Sequence, residues 1–413
     1  MGIKVRLTFM NFLQFFVWGA WLISLGGYMI VTLKFTGGQV GSIYATMGIA
    51  SLFMPALMGI IADKWVNAER VFGMSHIIGA VLLFLASQAT DFGSMYIIML
   101  GISLFYMPTI ALDNTVSYSI LEQKGYDIIK DFPPIRVWGT IGFITAMWVI
   151  DFAGWTVSPM QLYVSSGASL FLGVYAFTMP KCRPGNTTKG GSFITALGLD
   201  ALVLFKQRKM TIFFIFSLLL GAALQITNTF GEPFLHDFAG KFPDAFAVKH
   251  PGILMSISQM SETLFILTIP FFLKKFGIKK VMLMSMFAWV FRFGLFGVGN
   301  PGSGLWLLVL SMIIYGMAFD FFNISGSLFV ETEANPKIRA SAQGLFMIMT
   351  NGFGAFIGGM SSGWIVDYFT SNGVKDWQGI WFTFAAYALV VGILFMILFK
   401  YKHNPKAVEN LKH

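Results

Sequence analysis

Charged residues are few in this sequence. Asp, Glu, Lys and Arg supply 11% of its 413 residues, against about 25% in soluble domains, which excludes an ordinary water-soluble fold. Cysteine is scarcer still: with Cys182 alone, no disulfide can form within the chain. Histidine is limited to His76, His236, His250, His403 and His413, and these show no metal-ligand spacing. There is no GxxxxGK(S/T) phosphate loop and no aspartate-rich cluster of the sort that holds magnesium diphosphates. An ATP-driven motor of that type is thereby excluded, no metal or organic cofactor is expected, and no catalytic residue is assigned.

What fills the chain instead is apolar: 56% of residues are hydrophobic and 16% aromatic. Runs long enough to cross a hydrocarbon core as a helix, about 20 residues, recur from end to end. They predict spans at 7–31, 39–62, 71–89, 95–121, 135–151, 160–180, 208–232, 251–272, 280–298, 304–330, 340–368 and 377–400. The expected fold class is an all-α integral membrane protein of twelve transmembrane helices in two six-helix halves, 1–180 and 208–400. A linker at 181–207 separates the halves, with a short interfacial helix expected at 192–205, and 401–413 form a tail.

The net charge of +9 follows topology. With residue 1 in the cytoplasm, 22 of the 28 Lys and Arg fall in inner loops; Lys34, Lys241, Lys249 and Lys375 fall in outer loops, and Arg136 and Arg292 in spans. This is the positive-inside pattern. It predicts both termini in the cytoplasm and leaves no excess charge that calls for a nucleic-acid polymer. The first apolar run is longer than the roughly 7–15-residue core of a cleaved signal, so it is read as a retained span.

Against this background the polar residues inside spans are the candidates for function. Ionisable side chains at membrane depth are rare and usually face a protein or water-filled interior. Here they are Asp113, Arg136, Glu262, Arg292 and Asp320. Glu262 lies near the middle of the eighth span and borders a line of Ser256, Gln259 and Thr263 on the helical projection. Arg292, in the ninth span, stands in sequence between Glu262 and Asp320, which predicts a carboxyl–guanidinium network able to take up and release a proton as the arginine approaches or withdraws. A static ion pair that only fixes helix register is the alternative. Arg136 follows Pro133 and Pro134, which suit a helix start, and can reach a cavity or pair with Asp131; Asp113 is a second possible partner for it.

Three spans repeat one spacing, i, i+4 and i+7, which places side chains on one helical face. The sets are Gln14, Trp18 and Trp21; Arg136, Thr140 and Phe143; and Tyr315, Phe319 and Phe322. Gln225 and Asn228 add a pair at i, i+3. Rings that stack and amides that pair with carbonyls and hydroxyls suit a flat, neutral, polar ligand such as a sugar joined to a heteroaromatic base. Each stripe taken alone reads equally as packing or lipid contact, and span amides also serve as glue between helices.

The stretch GIIADKW at 59–65 is similar to the loop motif of the major facilitator superfamily. The strings NFLQFFVWGAW (11–21), DFPPIRVWGTIGFI (131–144), ILMSISQMSETLFILTIPFF (253–272), YGMAFDFFNISGS (315–327) and IRASAQG (338–344) resemble the bacterial nucleoside:proton symporters of that superfamily, and the resemblance extends over both halves. It implies proton-driven import of purine and pyrimidine nucleosides, uridine and adenosine among them, across the inner membrane by alternating access. The driving agent would be a proton gradient, and the partners protons, nucleosides and membrane lipid around a monomer. It also implies a nucleoside site of Arg136, Thr140, Phe143, Gln225, Asn228, Gln259, Glu262, Tyr315 and Phe319, and proton coupling through Glu262, Asp320 and Arg292. A proton-coupled carrier of a sugar or another small polar solute is the alternative.

Overall fold

A computed structural model describes residues 2–184 and 197–401. The first helix, α1, runs Ile3–Gly19, breaks, and resumes as Leu25–Gly27 and a π turn at Tyr28–Thr32. Then come α2 (Gly37–Lys64), α3 (Ala68–Ala86), α4 (Phe92–Gln123), α5 (Ile128–Phe152) and α6 (Met160–Ala176). After a 3₁₀ segment at Leu199–Lys206 follows α7 (Arg208–His236). The long helix Pro251–Val298 turns at Gly277, whose φ of 77° suits glycine, giving arms α8 (251–276) and α9 (278–298). The chain continues as α10 (Leu305–Glu333), α11 (Arg339–Tyr368, with a π turn at Ile348–Gly354) and α12 (Trp377–Leu398).

Among the described residues nine helices are long and apolar enough to cross a membrane, and one of these is the 48-residue pair α8–α9. The broken α1 and the 17-residue α6 are the shorter remainder. The segments thus follow the predicted spans in order, with two informative differences. Asp127 accepts hydrogen bonds from the Ile129 and Lys130 amides, so α5 starts upstream of the prolines rather than at them. The expected interfacial helix is a 3₁₀ segment over its described part, and 192–196 lie outside the described residues.

Within the first set of helices α1 packs on α5, α2 on α4 and α3 on α6; within the second, α10 and α12 pack on the α8–α9 pair and α7 on α11. The two sets meet along α2–α11, α5–α8 and the end of α1 against α7. Glycine makes the first of these joints possible. A Cβ on Gly359 would stand 2.8 Å from the Gly41 carbonyl oxygen and 2.9 Å from the Ala45 nitrogen, closer than backbone and side chain can pack, so the helices touch backbone to backbone.

Candidate functional site

The hydrogen bonds that cross between the two sets lie toward the face opposite the linker. Asp151, at the end of α5, accepts from His250 Nδ1 at 2.6 Å, the Gly252 amide at 2.7 Å and the Ile253 amide at 3.3 Å, so it caps the start of α8. Asp367, at the end of α11, does the same for α2 through the Gly37 and Gly38 amides at 2.6 and 2.7 Å. Each carboxylate meets the positive end of a helix in the other set. Trp148 Nε1 adds a bond to Ser256 Oγ at 2.9 Å. Together these contacts form a closed seam on that face.

Midway along the helices the polar groups are less fully partnered. On the first wall the Arg136 guanidinium carbon lies 4.1 Å from the centre of the Phe15 ring, within cation–π range. The acids acting on its charge are Asp113 in α4 and, across the interface, Glu262 in α8. Thr140 lies one turn along, and Phe143 meets Trp18 edge to face at 6.0 Å. On the second wall Gln225 and Asn228 are half-buried on α7, as are Gln259 and Glu262 on α8. Gln225 Oε1 is buried with no partner. The Tyr315 and Phe319 rings of α10 are parallel, 5.8 Å apart with 2° between planes. Asp320 is buried with Oδ2 unpartnered and lies in the field of Glu262.

The structure sorts the remaining sequence candidates by what surrounds them. Arg292 is buried, lies 4.5 Å from the Tyr315 ring centre, and donates to the Ser311 carbonyl at 2.9 Å and Ser258 Oγ at 3.3 Å. Among the described residues it forms no ion pair with Glu262 or Asp320; in this state the expected network is interrupted because aromatic and backbone groups already hold the guanidinium. Asp131 binds Lys4 at 2.7 Å rather than Arg136. Asp113 is fully buried with both oxygens unpartnered. Gln14 is tied into its own half: its Oε1 accepts from His76 Nε2 at 2.7 Å and its Nε2 donates to Thr109 Oγ1 at 2.8 Å. Trp21 and Phe322 are buried in packing, and Ser256 belongs to the seam.

Sequence reasoning passed over Asp151 and Glu232 because both fall at predicted span ends, where acids are ordinary. Glu232 is buried, with His236 Nε2 3.2 Å from Oε1 and nothing on Oε2. An acid ending one span in the same membrane layer as another helix's start is the signal that would have found Asp151. Cys182, outside the membrane helices, has its thiol pushed up to about 11 by burial, so it is not a reactive thiolate at neutral pH.

Comparison with known proteins bears on the chain as a whole. The family model described as nucleoside H+ symporter matches residues 1–404. The chain is 57% identical over 416 residues to the xanthosine permease of Escherichia coli (strain K12), covering 100% of this chain and 99% of that one. It is 54% identical over 418 residues to the nucleoside permease NupG of the same strain, covering both chains fully. Its fold is similar to the crystal structure of nucleoside transporter NupG with a TM-score of 0.93 at 55% identity, over 97% of this chain and 100% of that chain.

Proposed function

The chain belongs to the nucleoside H+ symporter family, and from that premise we propose that Arg136, Thr140 and Phe143 on one wall and Gln225, Asn228, Gln259, Glu262, Tyr315 and Phe319 on the other hold a nucleoside between the two halves. The protein is a multi-pass membrane transporter of the major facilitator type and not an enzyme. The observation that carries the proposed site is that Arg136 and Glu262 stand within electrostatic reach of one another across the interface, with aromatic faces on both walls. Rings accept the flat base by stacking, and the amides of Gln225, Asn228 and Gln259 pair with carbonyl and hydroxyl groups.

A substrate held on both walls links the halves, and a proton on Glu262 or Asp320 removes a charge that would otherwise oppose their closure around it. Arg292 takes part by moving relative to these acids between states. With the linker face cytoplasmic, as the Lys and Arg distribution supports, twelve crossings place both termini inside, and the seam of Asp151 and Asp367 seals the outside while cargo leaves inward. Uridine and adenosine are the proposed cargoes. For a neutral nucleoside each coupled proton adds about 2.3 kcal/mol per 100 mV of membrane potential.

The test is uptake of labelled uridine by the purified protein in proteoliposomes under an inward proton gradient. Accumulation above equilibrium that an uncoupler abolishes is the expected result; simple equilibration overturns the coupling, and absence of both binding and entry overturns the cargo.

A further inference from the structure

Beside the proposed site lies a small hollow whose lining includes Leu224, Trp289, Phe319, Phe322, Asn323 and Asn351. It shares Phe319 with that site and reaches α7 next to Gln225. It is small and open on one side, so it takes the polar edge of a ligand and not a whole one.

The two amides are its distinctive feature. Asn323 is half-buried one turn beyond Phe319 on α10; Asn351 is exposed within the π turn of α11. Such turns insert a residue into the helical register and often mark functional positions. Among the described residues no hydrogen bond forms to either side-chain amide, whereas neighbouring Thr350 satisfies its hydroxyl on the Phe346 carbonyl at 3.0 Å. Both amides remain accessible, so their donors and acceptors are open to a ligand. Amides that glue helices are bonded across them; these two face a hollow walled by aromatic rings.

Resting on the nucleoside reading above, we propose that Asn323 and Asn351 form the subsite that reads the edge of the nucleobase. A carboxamide presents one acceptor and two donors side by side. It matches the adjacent carbonyl and N–H of an oxo-base, and, turned over, the ring nitrogen and amino group of an amino-base. Phe319 lies against the ring while the amides engage its polar rim. The subsite therefore demands a polar edge without demanding one base, and it rejects a base that lacks exocyclic polar groups.

The experiment compares inosine with purine riboside, which has the same ring system and sugar but no exocyclic oxygen, as competitors of labelled uridine uptake in proteoliposomes. The native protein is expected to favour inosine about tenfold, the scale of one good hydrogen-bonded edge. In Asn323→Leu with Asn351→Leu the preference falls to about onefold through weakened inosine, with purine riboside little changed. Asn323→Ala and Asn351→Ala singly provide the same readout, each with an intermediate loss, if the leucines disturb assembly. Undiminished preference for inosine in variants that still take up uridine overturns the subsite while sparing the nucleoside reading. A native protein that accumulates uridine but does not distinguish the two competitors also overturns it. Failure of the native protein to bind or transport uridine overturns the cargo reading, and the subsite with it.

Discussion

Two buried aspartates, Asp151 in the seam and Asp320 at the midplane, make opposite use of the same side chain. Asp151 accepts three hydrogen bonds at the start of a helix in the other half, whereas Asp320 keeps Oδ2 free and lies in the field of Glu262. A buried carboxylate whose lone pairs are filled is a structural part. One left unfilled must take a proton, a cation or a ligand to lie quietly. The contrast extends to neighbours: the seam joins glycine backbones and helix starts, while the midplane collects amides and rings.

The largest expected effect tests the midplane side of this contrast. Glu262→Gln and Asp320→Asn each keep shape and remove the titrating group. Concentrative uptake under a proton gradient should fall by about 100-fold, the order seen when a general acid–base group is lost, while uridine binding measured by calorimetry persists. Full gradient-driven accumulation in both variants removes these acids from coupling.

Next in size, Gly359→Leu places a side chain where even a Cβ lies 2.8 Å from the Gly41 carbonyl oxygen. Overpacking of this kind costs about 1–3 kcal/mol, here charged to the closed seam rather than to either half. Exchange should slow by tenfold or more with helical content by circular dichroism unchanged. Wild-type exchange in this variant would show that the glycine contact is dispensable.

A smaller change is expected from Asp151→Asn, which weakens charge-assisted bonds worth about 1.5–3 kcal/mol but retains an acceptor oxygen. Met147 lines the small hollow behind the seam. With Met147→Cys as reporter, labelling from outside by an impermeant maleimide should rise severalfold in Asp151→Asn, and equal labelling in both backgrounds would deny Asp151 a sealing role. Native Cys182 is buried and contributes little background.

The smallest effect is at the loop pair Lys249–Asp244. Lys249 Nζ at 2.7 Å holds the Asp244 carboxyl below its ordinary range. Its contribution to stability is therefore present above the unfolded aspartate pKa, about 3.9, and lost as pH falls through the lower folded value. Both side chains are largely exposed, and water screens the pair. Asp244→Ala should leave uptake and melting temperature unchanged between pH 5 and 8; a clear loss would mean that the outer loops carry more of the seam than Asp151 and Asp367 do.

Apolar length and insertion cost are local properties of a segment, so the class, the order of the helices and the membrane-depth acids were legible in the residues alone. Their spacing also placed Arg136, Thr140 and Phe143, and likewise Tyr315 and Phe319, on common helical faces, since periodicity needs no neighbour. What periodicity leaves open is whether a face meets a helix or a hollow. Only the tertiary structure turned Gln14 toward His76, buried Trp21, held Arg292 on Tyr315 rather than on an acid, and set Asp151 against a helix start in the other half. It alone left Asn351 facing open space. The physical reason is that a hydrogen bond or a ring contact is decided within about 3 to 6 Å, by residues that packing brings from elsewhere in the chain.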